Sequence, residues 1–183
     1  METALKDAGF EVRVATNASY RDLRKAIIDF GQDLRDADVG LFYFAGHGVQ
    51  RSNANFIIPV DAELKDPDYL QIEGVNINQV LLRMHAAKTK LNIVILDACR
   101  NNPFPAFTRS SSRGLAVTQA PHGTYIAYAT RPGDVAEDGR GRNSPFTLSI
   151  ANNMSRPGTS LEKLFKLVRA DVRSMTNGKQ IPW

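Results

Sequence analysis

Cysteine occurs once among the 183 residues, and it follows an apolar run: LNIVILD ends at Asp97, then come Ala98, Cys99 and Arg100. A second apolar run, VGLFYFA, is followed by GHG, which sets His47 between two glycines. A free thiol has a pKa of about 8.5, so only a few per cent is thiolate near neutral pH, and unassisted attack is slow. An imidazole that takes the thiol proton, or pairs with the thiolate, lifts that limit. It can then protonate a leaving amine, acid and base work worth roughly a hundred- to ten-thousandfold. His47 and Cys99 are therefore the candidate base and nucleophile of a covalent acyl transfer. The competing reading of Cys99 is a small core residue, because free cysteine is among the most buried types.

Such a pair needs two rigid elements that end at the same place. The run Leu91 to Leu96 is apolar at nearly every position, the mark of a strand covered on both faces inside a parallel sheet. Sheets of this kind bind ligands at the carboxyl ends of their strands, where Cys99 falls. Val39 to Ala45 has the same character and places His47 at the same edge. The 52 positions between His47 and Cys99 leave room for a hairpin, a crossover helix and a parallel return. GVQRSNANFIIPVDA supplies the hairpin, with a polar turn around Arg51 to Asn55 and Pro59 against a central placement. Asn76 caps the crossover helix, which carries Ile77, Val80, Leu81 and Met84.

Upstream, Glu2 to Ala8 reads as a helix closed by Gly9, followed by a strand over Phe10 to Ala15. Ser19 and Asp22 then open a helix with Leu23, Ile27, Phe30 and Leu34 on one face. Downstream, the segment from Pro103 to Gly123 has no period and reads as an exposed loop, and Thr124 to Thr130 as another strand. After the polar loop RPGDVAEDGRGRN, Ser144 and Pro145 start a helix, and Thr159 with Glu162 forms a capping box for the last one. The sum is one α/β domain over residues 1–183, with no linker to divide it.

Composition excludes several classes. The net charge is +4, but basic residues are interleaved with acids, and neither a basic stripe nor an aromatic platform points to nucleic acid. No apolar run approaches the roughly 18 residues that cross a bilayer, and the N-terminus lacks a signal peptide's pattern; a soluble, cytoplasmic chain is expected. One cysteine excludes an internal disulfide, and with three scattered histidines it is far short of a zinc set, so no metal site is expected. His85 sits on an amphipathic helix as a surface residue, whereas His122, in a proline-glycine turn before a strand, is the rival to His47 as base.

The stretches FYFAGHGVQ, NFIIPVDA and ILDACRNNPF, in that order and spacing, resemble the caspase-like cysteine peptidases, with metacaspases, paracaspases and their bacterial relatives nearest. The resemblance runs over residues 1–183. It implies a three-layer caspase-like sandwich, with a mostly parallel central sheet flanked by helices, and peptide-bond hydrolysis through a thioester. It also implies an oxyanion site made by the backbone amides of Gly48 and Cys99, and no cofactor. Calcium activates some metacaspases, but no dedicated calcium loop is present here. Domains of this family begin with a central strand ahead of the first helix. This chain has no residues for it, so the domain is expected to be N-terminally incomplete. Such a domain must leave a gap in the sheet, re-pair its neighbours or take a strand from another chain, since an open central edge invites association, so a homo-oligomer is one of the three expectations.

Specificity follows from a departure within the motif. Caspases place glutamine two residues before the cysteine, and here that residue is Asp97. A carboxylate on a pocket floor is costly unless paired, and a substrate arginine or lysine can pair it. Cleavage after Arg or Lys of protein or peptide substrates is expected. The alternative is a strand-end Asp97 that caps local amides or salt-bridges Arg100. By resemblance, a further acid comes from the loop after the next strand; Asp134 is the first candidate, with Glu137 and Asp138 behind it. Arg109 and Arg113 lie where related enzymes cleave themselves, and a basic-specific site would accept either. Two other functions compete: a catalytically weak caspase-like scaffold that binds partners, and a redox-sensing cysteine.

Overall fold

The chain was analysed as a computed structural model, which describes residues 1–98, 114–132, 134–139 and 141–183. In order, its elements are α1 (Glu2–Asp7), α2 (Tyr20–Asp33), β1 (Val39–Ala45), β2 (Gly48–Arg51), β3 (Ala54–Ile57), α3 (Leu70–Glu73) and β4 (Val75–Asn76). There follow α4 (Asn78–Ala87), β5 (Leu91–Asp97), β6 (Thr124–Tyr128), α5 (Pro145–Asn153) and α6 (Leu161–Met175).

The two apolar runs lie side by side. β1 pairs parallel with β5, Val39 opposite Leu91 and Ala45 opposite Asp97, and β6 pairs parallel with the other side of β5. β5 is the middle strand, and Val94, Ile95 and Leu96 are almost fully buried. Full burial of an aliphatic side chain is worth roughly 1.5–3 kcal/mol, which explains the near-continuous apolar run. Strand alternation assigns the two faces. Phe42 meets Phe30 of α2, and Leu34 lies under Gly40, so that face is covered by α2 and its neighbour α4. Tyr43 and Asp97 meet α5, and Tyr125 stacks on Phe165 of α6, so the opposite face is covered by the packed pair α5 and α6. The result is the caspase-like α/β sandwich of three layers.

The hairpin forms as expected, β2 against β3, through Ser52 and Asn53, both at positive φ as a tight two-residue hairpin turn requires. β4 adds an antiparallel third strand that the sequence did not announce. Asn76 belongs to β4, and its side-chain oxygen accepts the Asn78 N–H at 2.9 Å as α4 begins. Ser19 and Ser144 cap α2 and α5 as read from the sequence.

Two expectations need correction. Phe10 to Ala15 is not a strand: no described strand runs beside it, and an extended segment without a ladder partner forms no sheet. Its Arg13 side chain instead reaches Asp33 of α2 at 2.7 Å. The cap of α6 is Ser160, one residue later than Thr159; its hydroxyl accepts the Lys163 N–H, which places Glu162 in the first turn. Among the described residues, no helix is long and apolar enough to cross a membrane.

Candidate active site

His47 lies in the short link between β1 and β2, and its backbone is tied on one side to the tip of β5 and on the other to the residue after β3. The Gly46 N–H donates to Asp97 O at 3.2 Å, and His47 O accepts the Ile58 N–H at 3.0 Å. A Cβ at position 48 would lie 2.6 Å from Ala98 O, so only glycine lets the link approach this closely. The His47 side chain is exposed, while Gly48 is buried. The link is thus held against Asp97 and Ala98, the two residues immediately before Cys99. Cys99, Arg100, Arg109 and Arg113 lie outside the described residues.

Asp97 is buried, at 4% exposure, and two hydroxyls at the start of α5 bond to it. The hydroxyls of Ser144 and Thr147 both donate to Oδ2, Thr147 at 2.6 Å. Ser144 Oγ also accepts the Thr147 N–H at 3.0 Å as the helix cap. The Tyr43 hydroxyl lies 2.6 Å from Thr147 Oγ1. Since the single Thr147 hydroxyl proton goes to Asp97, Tyr43 is the donor there, and the protons run Tyr43 to Thr147 to Asp97. Bonds that donate to a carboxylate favour its charged form, and the positive end of the helix adds to them. Sequence reading recognised Ser144 as a cap. It did not join it, or Thr147, to Asp97, because residues 47 and 50 positions apart carry no pattern that links them.

The loop after β6 carries the other acids. Asp134 is closed on Arg131, whose Nε and Nη2 each lie 2.9 Å from Asp134 Oδ2, and its N–H bonds back to Arg131 O at 3.1 Å. The first candidate therefore already holds a cation of its own loop. Glu137 is exposed, with Lys179 Nζ at 4.0 Å, and its N–H donates to Gln180 Oε1 at 2.9 Å. Asp138 is exposed as well.

Leu115 lies at the His47 link, where its side chain would meet a Cβ at Gly48 at 3.2 Å. Buried Asn55 clamps the next residue, giving Nδ2–H to Ala116 O at 2.7 Å and taking the Ala116 N–H at 2.8 Å. His122 stands at the far edge of the sheet, where neighbouring Gly123 O accepts the Asn92 N–H at 2.8 Å. Five residues of β5 at about 3.3 Å each separate that edge from Asp97, roughly 16 Å, which removes His122 as the base. His85 is exposed in the last turn of α4, as the sequence suggested.

With the geometry given, comparison with known proteins is informative. The caspase domain family matches residues 1–183, the whole chain. The human mucosa-associated lymphoid tissue lymphoma translocation protein 1 is 31% identical over 97 residues, 52% of this chain and 11% of that protein. Its mouse homolog is 30% identical over 97 residues, with the same coverage. This chain therefore corresponds to a small part of those relatives. Caspase-1 from Spodoptera frugiperda superposes over 100% of this chain and 73% of its own, with a TM-score of 0.66 at 21% identity, a likeness of fold. Family match, sheet topology and the glycine-flanked histidine against the end of β5 lead to one assignment: the chain belongs to the caspase domain family of cysteine peptidases.

Proposed function

We propose that the chain is a cysteine endopeptidase in which His47 and Cys99 cleave peptide bonds after Arg or Lys, with no cofactor. The observation that carries this reading is the attachment of the His47 link to Asp97 and Ala98, through the Gly46 N–H and the close approach at Gly48. These backbone contacts hold the imidazole's link against Asp97 and Ala98, which precede Cys99 in the sequence, and this supports the pairing of His47 with Cys99. In the reaction, the Cys99 thiolate attacks the substrate carbonyl carbon, and the amides of Gly48 and Cys99 receive the developing oxyanion. His47 protonates the leaving amine as the carbon–nitrogen bond breaks, which leaves a thioester. Water, deprotonated by His47, then releases the acid and restores the thiol.

The basic preference rests on Asp97. Two hydroxyl donors and a helix N-terminus favour the charged form of this buried carboxyl against the desolvation that opposes it, and the charged form would give the end of β5 a negative potential. A substrate guanidinium or ammonium is complementary to it, and an aspartate is not. The deciding experiment is hydrolysis of Arg, Lys and Asp reporter peptides by wild type, Cys99→Ala and His47→Ala. Turnover of the basic reporters that either substitution abolishes is the expected result; equal turnover of the Asp reporter, or activity surviving in Cys99→Ala, overturns it.

Self-cleavage at Arg109 or Arg113 belongs to the same reading. Both arginines lie in the sequence between Cys99 and Leu115, and Leu115 packs at the His47 link. Mass spectrometry of incubated wild type should show cuts there that are absent from Cys99→Ala.

A second reading, a partner-binding scaffold, is favoured by one observation: among the described residues no strand pairs with the outer side of β1, an apolar strand that is only half-buried. A free edge of this kind pairs with a strand of another copy, and light scattering that finds only monomer would remove that association.

A further inference from the structure

Among the described residues the most deeply buried polar side chain is Gln180, at 0% exposure, and neither hydrolysis nor the sheet ladder accounts for it. A carboxamide removed from water must have its donors and acceptor met, and the partners it chose are informative. Gln180 Nε2–H donates to Ala129 O at 2.8 Å, and Oε1 accepts the Glu137 N–H at 2.9 Å. Ala129 follows β6 directly, and its own N–H donates to Leu96 O at 3.0 Å, one residue before Asp97. Glu137 lies at the far end of the loop that carries Asp134, Glu137 and Asp138. One side chain therefore joins both ends of that loop to each other and to the strand register at the β5 tip.

Gln180 is itself anchored. Its backbone N–H donates to Thr176 Oγ1 at 3.0 Å, and the Thr176 hydroxyl donates to Val172 O of α6 at 2.8 Å. Beyond it, Trp183 and Tyr128 exchange backbone bonds, Tyr128 N–H to Trp183 O at 2.7 Å and Trp183 N–H to Tyr128 O at 3.0 Å. The carboxamide is therefore held from behind by a helix end and in front by the sheet edge, while the loop hangs from it.

We propose that Gln180 is a positioning residue for substrate recognition: by stapling Ala129 to Glu137 it sets the loop that borders the pocket for the basic residue. The proposal rests on the basic-specific reading above. It acts through the loop, so it should govern how well substrate binds, not how fast the bound substrate reacts.

The test compares wild type, Gln180→Leu and Thr176→Val on the Arg and Asp reporters, with amide hydrogen exchange read at Glu137. Gln180→Leu keeps the volume and removes both bonds; Thr176→Val keeps the staple and removes its anchor. Expected is a KM for the Arg reporter at least tenfold higher in Gln180→Leu, kcat within twofold of wild type, and faster exchange at Glu137. Thr176→Val should show the same split more weakly, and it serves alone if Gln180→Leu does not fold. A KM unchanged in both variants, or a loss confined to kcat, overturns the positioning role while the basic preference of wild type stands. A wild type without basic preference overturns the specificity reading and, with it, the role built upon it.

Discussion

The central sheet ends in two different ways. Beyond β6 the chain's own C-terminal residues seal the edge, with Trp183 and Tyr128 exchanging two backbone bonds and Gln180 buried behind them. Beyond β1 no described strand takes the outer position, and β1 is half-buried although its sequence, VGLFYFA, is hardly less apolar than that of β5. The contrast shows that apolar character makes a residue fit for a strand, while burial is decided by what lies on either side. It also separates the two halves of the candidate site. The acid-bearing loop hangs from the closed edge, over-determined by side-chain and backbone bonds. His47 grows out of the open-edge strand and is held from two sides: by the middle strand, through the Gly46 bond to Asp97 and the approach of Gly48 to Ala98, and by the residue after β3, through the Ile58 N–H.

If the middle strand holds the site together, the largest effect belongs to its tip. Asp97→Ala removes the acceptor for Ser144 and Thr147 and the charge proposed to meet the substrate. Leaving two buried hydroxyls without their acceptor costs about 2–4 kcal/mol, to be read from the denaturant midpoint. Loss of a buried charge partner costs about 2–5 kcal/mol in recognition, so kcat/KM for Arg reporters should fall by a factor of roughly thirty to several thousand. A variant as stable and as active on Arg as wild type would mean that neither fold nor specificity depends on this carboxylate.

The chain of hydroxyls permits a finer comparison, because it runs from the open-edge strand to the middle one. Thr147→Val removes a donor to a charged acceptor and should cost roughly 1.5–3 kcal/mol; Tyr43→Phe removes the outer neutral link and should cost about 1 kcal/mol. Urea titration of the two variants gives both numbers. The opposite order would place the main constraint on the β1 side and break the contrast drawn above.

Which of these features could be read in advance follows from how local they are. The hairpin and the caps at Ser19 and Ser144 are legible because each depends on residues a few positions apart, and the strands β1 and β5 because the apolar run of each lies within itself. The strand expected over Phe10 to Ala15 had the right residues, but pairing is a property of two segments, and its partner is not among the described residues. At the site, GHG and the strand ending in Asp97 identified the edge. Asp97 could be seen as a carboxylate at a strand tip, yet its bonds to Ser144 and Thr147 come from a helix that begins 48 residues on, and nothing in one sequence ties them together. Asp134 looked as available as Glu137 or Asp138; only the coordinates show Arg131 folded onto it, a contact three residues apart that a turn makes and a straight reading misses.

The open edge can be tested without touching the site. Val39 begins β1 and is 37% exposed, so lysine there can be solvated while it blocks the approach of another strand. Val39→Lys should leave stability within about 0.5 kcal/mol, since exposed positions away from special features are tolerant. Any dimer that wild type forms should be lost in light scattering at equal concentration. A dimer that survives the substitution does not pair through this edge.

The smallest effect concerns the helix that delivers the closing segment. Glu162 lies in the first turn of α6, and its own backbone N–H, then the Ser160 hydroxyl, and less strongly Lys166 hold its carboxyl below the usual range. A carboxyl depressed in the folded state adds stability above its unfolded pKa, and that contribution fades as pH falls through the folded value. Glu162→Gln should therefore lower the thermal midpoint slightly at pH 7 and leave it unchanged once the pH is below the folded value of Glu162, where both side chains are neutral. Because the group is fully exposed, the shift should be far smaller than that of Gln180→Leu, which strands a carbonyl and an amide in the interior. Equal shifts for the two variants would mean that the sealed edge depends on how firmly α6 begins and not on the buried carboxamide at its far end.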